Sequence, residues 1–191
     1  MLEAMRYLHS EQRDGAAILA SLSTDNVLVG SDGVTRVIEP VVSAVAACAD
    51  AWLKQPKRAC YDAPEQFADE PEHDERSDVF TAGVLLWELL RNRPLFGGST
   101  YDAVAERVRT AAIRRADSLK PAGGEAIPAS VTDIVAKALE REPASRYQSA
   151  AEMIEAVAGE ELASPAQVAA YVKELAEETL AKQRRKVEQA R

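Results

Sequence analysis

Between Ser21 and Asn26 the sequence reads Ser-Leu-Ser-Thr-Asp-Asn, and Glu39 follows a short β-branched stretch. Hydroxyls at Ser21, Ser23 and Thr24 stand near two hard oxygen donors, the Asn26 amide and the Glu39 carboxylate, which are donor types that hold a divalent cation and the phosphates it carries. A serine hydroxyl has neither a negative charge nor a lowered pKa, so it cannot orient a nucleophile and take its proton as a carboxylate does. Other reactive side chains are dispersed. Cys48 and Cys60 lack CxxC spacing and read as free thiols of a reducing compartment. His9 and His73 are far apart in sequence with no ligand set around either, so no metal site is expected.

The elements that must position these groups are mostly helical. Leu2, Met5 and Leu8 recur at helical spacing and predict a helix ending near Gly15. Val27 to Val29 and Val34 to Ile38 flank "GSDG", with Asp32 and Gly33 expected to supply the positive-φ residues of a hairpin turn. From Glu39 to Glu65 no period holds, and Pro40, Pro56 and Pro64 interrupt the segment. Val79 to Leu90 is apolar nearly all round, the pattern of a helix at the centre of a domain. Amphipathic helices opened by Ser or Thr caps are expected at about Thr100 to Arg114, Ser130 to Glu140 and Ser149 to Gly159. Ser164 and Pro165 then open a last helix that grows basic toward its end.

Composition bounds the function. With 191 residues, 47% of them hydrophobic, the chain can bury one core and carry an appendage. A formal charge of −8 argues against nucleic acid or an anionic membrane surface as the main partner. No apolar run approaches the roughly 20 residues that span a bilayer, and the amphipathic start does not read as a signal peptide. A soluble, cytoplasmic protein without membrane insertion is expected.

"STDNVLV", the hairpin, "APEQ", "DERSDVFTAGVLLWELLRNRPLF" and "REPASRYQSAAEM" occur in the order and spacing of the larger, helical lobe of bacterial Ser/Thr protein kinases. The resemblance covers about Met1 to Ala158. It implies a mainly α fold, the kinase large lobe with a short β hairpin and without the small lobe. Residues 1–159 form that lobe and residues 160–191 a C-terminal helical extension. In this family the catalytic loop reads H-R-D-L-x-x-x-N, its Asp orienting the substrate hydroxyl and its Asn holding magnesium. Aligned on Asn26, the chain has Leu19, Ala20 and Ser21 at the His, Arg and Asp positions. Where the family places D-F-G it has Glu39, Pro40 and Val41. The small lobe's Gly-rich loop and Lys precede the point where the numbering begins.

The resemblance keeps what holds the lobe together. It implies that Glu65 pairs with Arg146, that Asp78 hydrogen-bonds the catalytic-loop backbone, and that Gly83 permits close packing, all structural roles. It therefore points to a catalytically inactive kinase-like module, a pseudokinase without a cofactor. Such a module works in bacterial signalling as adaptor, scaffold or regulator of a protein partner, which is another signalling protein, a kinase or a second copy. The apolar surface beside the hairpin suits that role, and the C-terminal helix either folds over it or stands out as a stalk. The alternative is a nucleotide or metal sensor, or a residual phosphotransferase, built on Asn26 and Glu39.

Overall fold

The computed structural model describes residues 1–11, 22–38, 54–71, 73–118 and 126–189. Leu19, Ala20, Ser21, Glu39, Pro40, Val41 and Cys48 lie outside the described residues.

Helix α1 (Leu2–Glu11) turns Met5 fully inward, and its contacts run mainly to α6 (Ala150–Ala158). Strands β1 (Val27–Val29) and β2 (Thr35–Val37) pair antiparallel, with Leu28 opposite Arg36. Their turn differs from the expected one. Gly33 alone has positive φ, at 75°, and Asp32 does not share it. The loop closes through Gly33 N to Gly30 O (2.9 Å) and Gly30 N to Val34 O (2.9 Å), which needs only one left-handed residue. Asp32 instead accepts from Val34 N at 3.1 Å and pairs with Arg36 at 2.6 Å.

The segment expected to be irregular up to Glu65 contains a short helix, α2 (Pro56–Ala59), and a 3₁₀ turn at Pro64–Phe67. Pro56 begins a helical turn rather than interrupting one, because the first turn needs no N–H from it.

Helix α3 (Glu75–Arg91) is the central element. Asp74 caps it by accepting from Arg76 N at 2.8 Å, and Asn92, left-handed at φ 48°, ends it. Val79, Phe80, Ala82 and Val84 are fully buried. The apolar surround is not complete: Leu89 is 72% exposed on the side of the last turn away from the core, while Leu90 packs against the core and Arg91 is buried. A Cβ on Gly83 would stand 3.0 Å from the Ala138 Cβ and 3.1 Å from the Leu139 Cγ, so glycine sets the approach of α3 to α5 (Ala129–Ala138).

Helix α4 (Tyr101–Thr110) begins at its Thr100 cap but ends before the expected Arg114. Ala111 is extended, and the following strand of chain runs along α3, where Arg114 O accepts from Trp87 Nε1 at 2.8 Å. Helix α5 is not opened by Ser130. Pro128 occupies its N-cap, while Ser130 Oγ donates to Glu160 at 2.9 Å. Ser149 caps α6 through Glu152 N, and Ser164 with Gln167 caps α7 (Pro165–Gln189).

One hydrophobic cluster joins α1, α3, α4, α5 and α6, with Phe80 stacked on Phe96 at 6.3 Å between centroids. Burying each such ring contributes about 1.5–3 kcal/mol. The fold is thus mainly helical with a two-stranded hairpin among the described residues. Helix α7 meets that hairpin at Gly33, where an added Cβ would run into the Pro165 carbonyl and the Ala169 N–H. Val168, Ala169 and Val172 are half-buried, whereas Tyr171 and Leu175 are exposed.

Candidate functional site

The loop before β1 is closed on itself. Asn26 Oδ1 accepts from Ser23 N at 2.8 Å, and Asn26 O accepts from Ile38 N at 2.8 Å. The amide that sequence reasoning offered to a metal thus bonds back to the loop backbone three residues before it, while the Asn26 carbonyl ties the loop to Ile38 at the end of β2. Thr24 Oγ1 lies 3.0 Å from Tyr61 OH, which donates to Glu88 Oε2 at 3.1 Å. Glu88 Oε1 in turn accepts from Leu95 N at 3.0 Å. Burial first, then the Glu88 charge, pushes the Tyr61 phenol up to about 12, so the hydroxyl stays protonated and keeps donating.

Asp78, in the first turn of α3, is enclosed by two imidazoles. His9 Nε2 lies 2.7 Å from Asp78 Oδ2, and His73 Nε2 lies 3.4 Å from Asp78 Oδ1. Gln66 Nε2 lies 3.3 Å from His73 Nδ1, and donation there leaves the Nε2–H of His73 for Asp78. His9 Nδ1 faces Glu75 Oε2 at 3.4 Å. Burial works against the Asp78 carboxylate, but His73 and His9 outweigh it and hold its pKa below the usual carboxylate range. Burial likewise opposes the His9 imidazolium, and Asp78 with Glu75 outweighs it, so the His9 pKa is raised.

Arg146 is 2% exposed and has all five N–H donors used. Nη1 and Nη2 each donate to one Glu65 oxygen at 2.7 Å. The remaining three bonds reach the carbonyls of Arg76 (2.9 Å), Glu140 (2.7 Å) and Arg141 (2.9 Å). Its guanidinium also lies 5.0 Å from the Phe80 ring centroid. Ser77 Oγ gives Glu65 a further bond at 2.7 Å. Burial alone would raise the Glu65 pKa, yet Arg146 and Ser77 bring it below the ordinary value.

The structure thus brings Glu65 and Arg146 together and gives Asp78 two histidine partners. The backbone of Leu19 to Ser21, and Glu39 as a companion of Asn26, lie outside the described residues. Among the described residues no group of three or more His, Cys, Asp or Glu is placed to hold a metal ion. No helix there is long and apolar enough to cross a membrane.

Sequence reasoning missed the two histidines. His9 carried a signal, since it continues the Met5 face one turn on. His73 carried none, because the loop between Pro64 and Asp74 alone brings it to Asp78.

The description "Protein kinase domain" matches residues 1–157, which include the hairpin, the Asp78 cluster and the Arg146 hub. The chain belongs to the protein kinase domain family. This kinase-family chain is 35% identical over 146 residues to "Serine/threonine-protein kinase PknL" of Mycobacterium tuberculosis, covering 74% of the chain and 35% of that relative. It is 34% identical over 135 residues to "Probable serine/threonine-protein kinase CE0033" of Corynebacterium efficiens, covering 69% of the chain and 19% of the relative. With "Serine/threonine-protein kinase PknB" of Mycobacterium leprae it shares 35% identity over 133 residues, covering 69% and 20%. The chain therefore spans between a fifth and about a third of the length of these curated relatives. Helix α7 begins after the matched span.

Proposed function

We propose that this kinase-family chain is a binding module of bacterial signalling that contacts a protein partner and does not transfer phosphate. One contrast carries the reading. The bonds that hold a kinase large lobe together, centred on Arg146 and Glu65, are present, while the catalytic carboxylate position holds Ser21 and the D-F-G position holds Glu39, Pro40 and Val41. Phosphoryl transfer depends on positioning and on charge that stabilises the moving phosphoryl group, and a serine with a proline-containing triplet supplies too little of either. In this reading Glu65, Asp78, Gly83 and Arg146 are structural. Residues 1–159 are the kinase-like unit, and residues 160–191 are an extension whose first turn leans on the hairpin.

The test is a transfer assay with labelled ATP and magnesium or manganese on a generic protein substrate. A thermal shift with the same nucleotide and capture of partners at near-endogenous level run beside it. The expected result is no incorporation, no shift of several degrees, and a stoichiometric protein partner. Incorporation lost on Asn26→Ala would instead establish the alternative, a residual phosphotransferase or nucleotide sensor using Asn26 and Glu39.

A further inference from the structure

Between the last turns of α3, the extended segment 111–116 and α5 lies a half-open cleft of about 220 Å³. Its apolar floor is Trp87, Ile113, Val135 and Leu139. The Trp87 ring is fixed by its bond to Arg114 O at 2.8 Å, and the Arg93 guanidinium lies 5.5 Å from its centroid. Three arginines line the cleft, Arg114, Arg115 and Arg141, against one acidic residue, Glu140. They are not equivalent. Arg115 is neutralised by Asp117 at 3.2 Å and Asp133 at 2.7 Å. Arg141 donates to the carbonyls of Val108 and Ala111. Arg114 and Arg93 are within ion-pair distance of no carboxylate among the described residues, on a chain whose formal charge is −8.

We infer that this cleft docks an acidic peptide segment of the partner, with a Glu or Asp carboxylate on Arg114 and an apolar neighbour against Ile113, Val135 and Leu139. The inference rests on the binding-module reading and names its surface. The planar donor fork of arginine matches a carboxylate in bidentate fashion. The cleft is smaller than the roughly 300–1,000 Å³ of sites for drug-sized ligands, so it takes one or two side chains rather than a nucleotide. An extended polyanion would meet the acidic remainder of the chain, which leaves a short segment as the fitting occupant. Glu140 on the cleft wall also opposes a dianionic phosphate more than a monoanionic carboxylate.

Fluorescence anisotropy on the full chain tests this with a fluorescein-labelled peptide of alternating glutamate and leucine. Matched peptides carry glutamine or phosphoserine in place of glutamate. Saturable binding is expected for the glutamate peptide, weakening with salt, absent for the glutamine peptide, and reduced at least about tenfold by Arg114→Glu. Ala136→Trp, which fills the cleft from the α5 side, should do the same, and thermal melts establish that both variants are folded. No saturation below about 1 mM, or binding unchanged in a folded Arg114→Glu variant, overturns the inference. Tighter binding of the phosphoserine peptide overturns the carboxylate assignment. These outcomes are independent of the transfer assay: partner capture that survives Arg114→Glu removes the docking site and leaves the binding-module reading standing.

Discussion

At the scale of single residues, the lobe depends on charges that are buried because each has its complement. Glu65→Ala would strand the Arg146 guanidinium, whose side chain is 0% exposed, with two of its five donors unmet. Breaking such a pair from one side costs about 3–5 kcal/mol, and Glu65→Ala/Arg146→Met should lose clearly less than the sum of the single variants. Urea midpoints of the four proteins measure that coupling. The Asp78 cluster predicts a pH dependence. His9 is raised above its ordinary 6.5, so its contribution is complete below about pH 6.5 and is lost as pH climbs through the folded value. Asp78 is lowered below its ordinary 3.8, so its contribution holds above about pH 3.8 and is lost as pH falls through the folded value. Stability from the pair is therefore greatest between the two. His9→Gln, which can still donate to Asp78 but carries no charge, should lower the urea midpoint near pH 5.5 and flatten the decline toward pH 8.5.

At the scale of elements, the meeting of hairpin and α7 hangs on one glycine. Gly33→Ala would place a methyl group against the Pro165 carbonyl, at a φ of 75° that side chains disfavour, and should cost about 1–2 kcal/mol at the turn. Hydrogen exchange should rise in β1, β2 and the first turn of α7 while α3 and α5 stay protected. Equal loosening in all five would show that the hairpin is part of the core. Helix starts were legible from sequence where a side chain makes the cap, as at Thr100, Ser149 and Ser164, because that bond is local. The end of α4 was not legible, since the chain leaves the helix to give Arg114 O to Trp87, a partner on another element. For the same reason the pairing of Glu65 with Arg146, 81 residues apart, was legible only through family resemblance. The second histidine on Asp78 and the cleft beside Trp87 were not, being assembled from segments distant in sequence.

At the scale of the whole molecule, the hydrophobic cluster among the described residues runs up to Val157, and the first turns of α7 add a contact to the hairpin outside it. The hairpin meanwhile leaves Leu28, Val29, Val34 and Ile38 between 41% and 48% exposed, and apolar residues grouped in this way tend to be covered by a partner or by another copy. Removal of residues 160–191 should therefore separate two properties that usually fail together. The core and the Arg146 hub remain, so the melting transition of the shortened chain should stay cooperative and fall by no more than the stability of the α7 contact, about 1–2 kcal/mol. The hairpin face, no longer flanked by Pro165 and Ala169, should pair with its like, and light scattering after size exclusion should report a dimer or larger species at concentrations where the full chain is smaller. A monomer with an unchanged melt would mean that α7 shields nothing and stands out as a stalk. Its exposed Tyr171 and Leu175 would then be the apolar surface that awaits a partner.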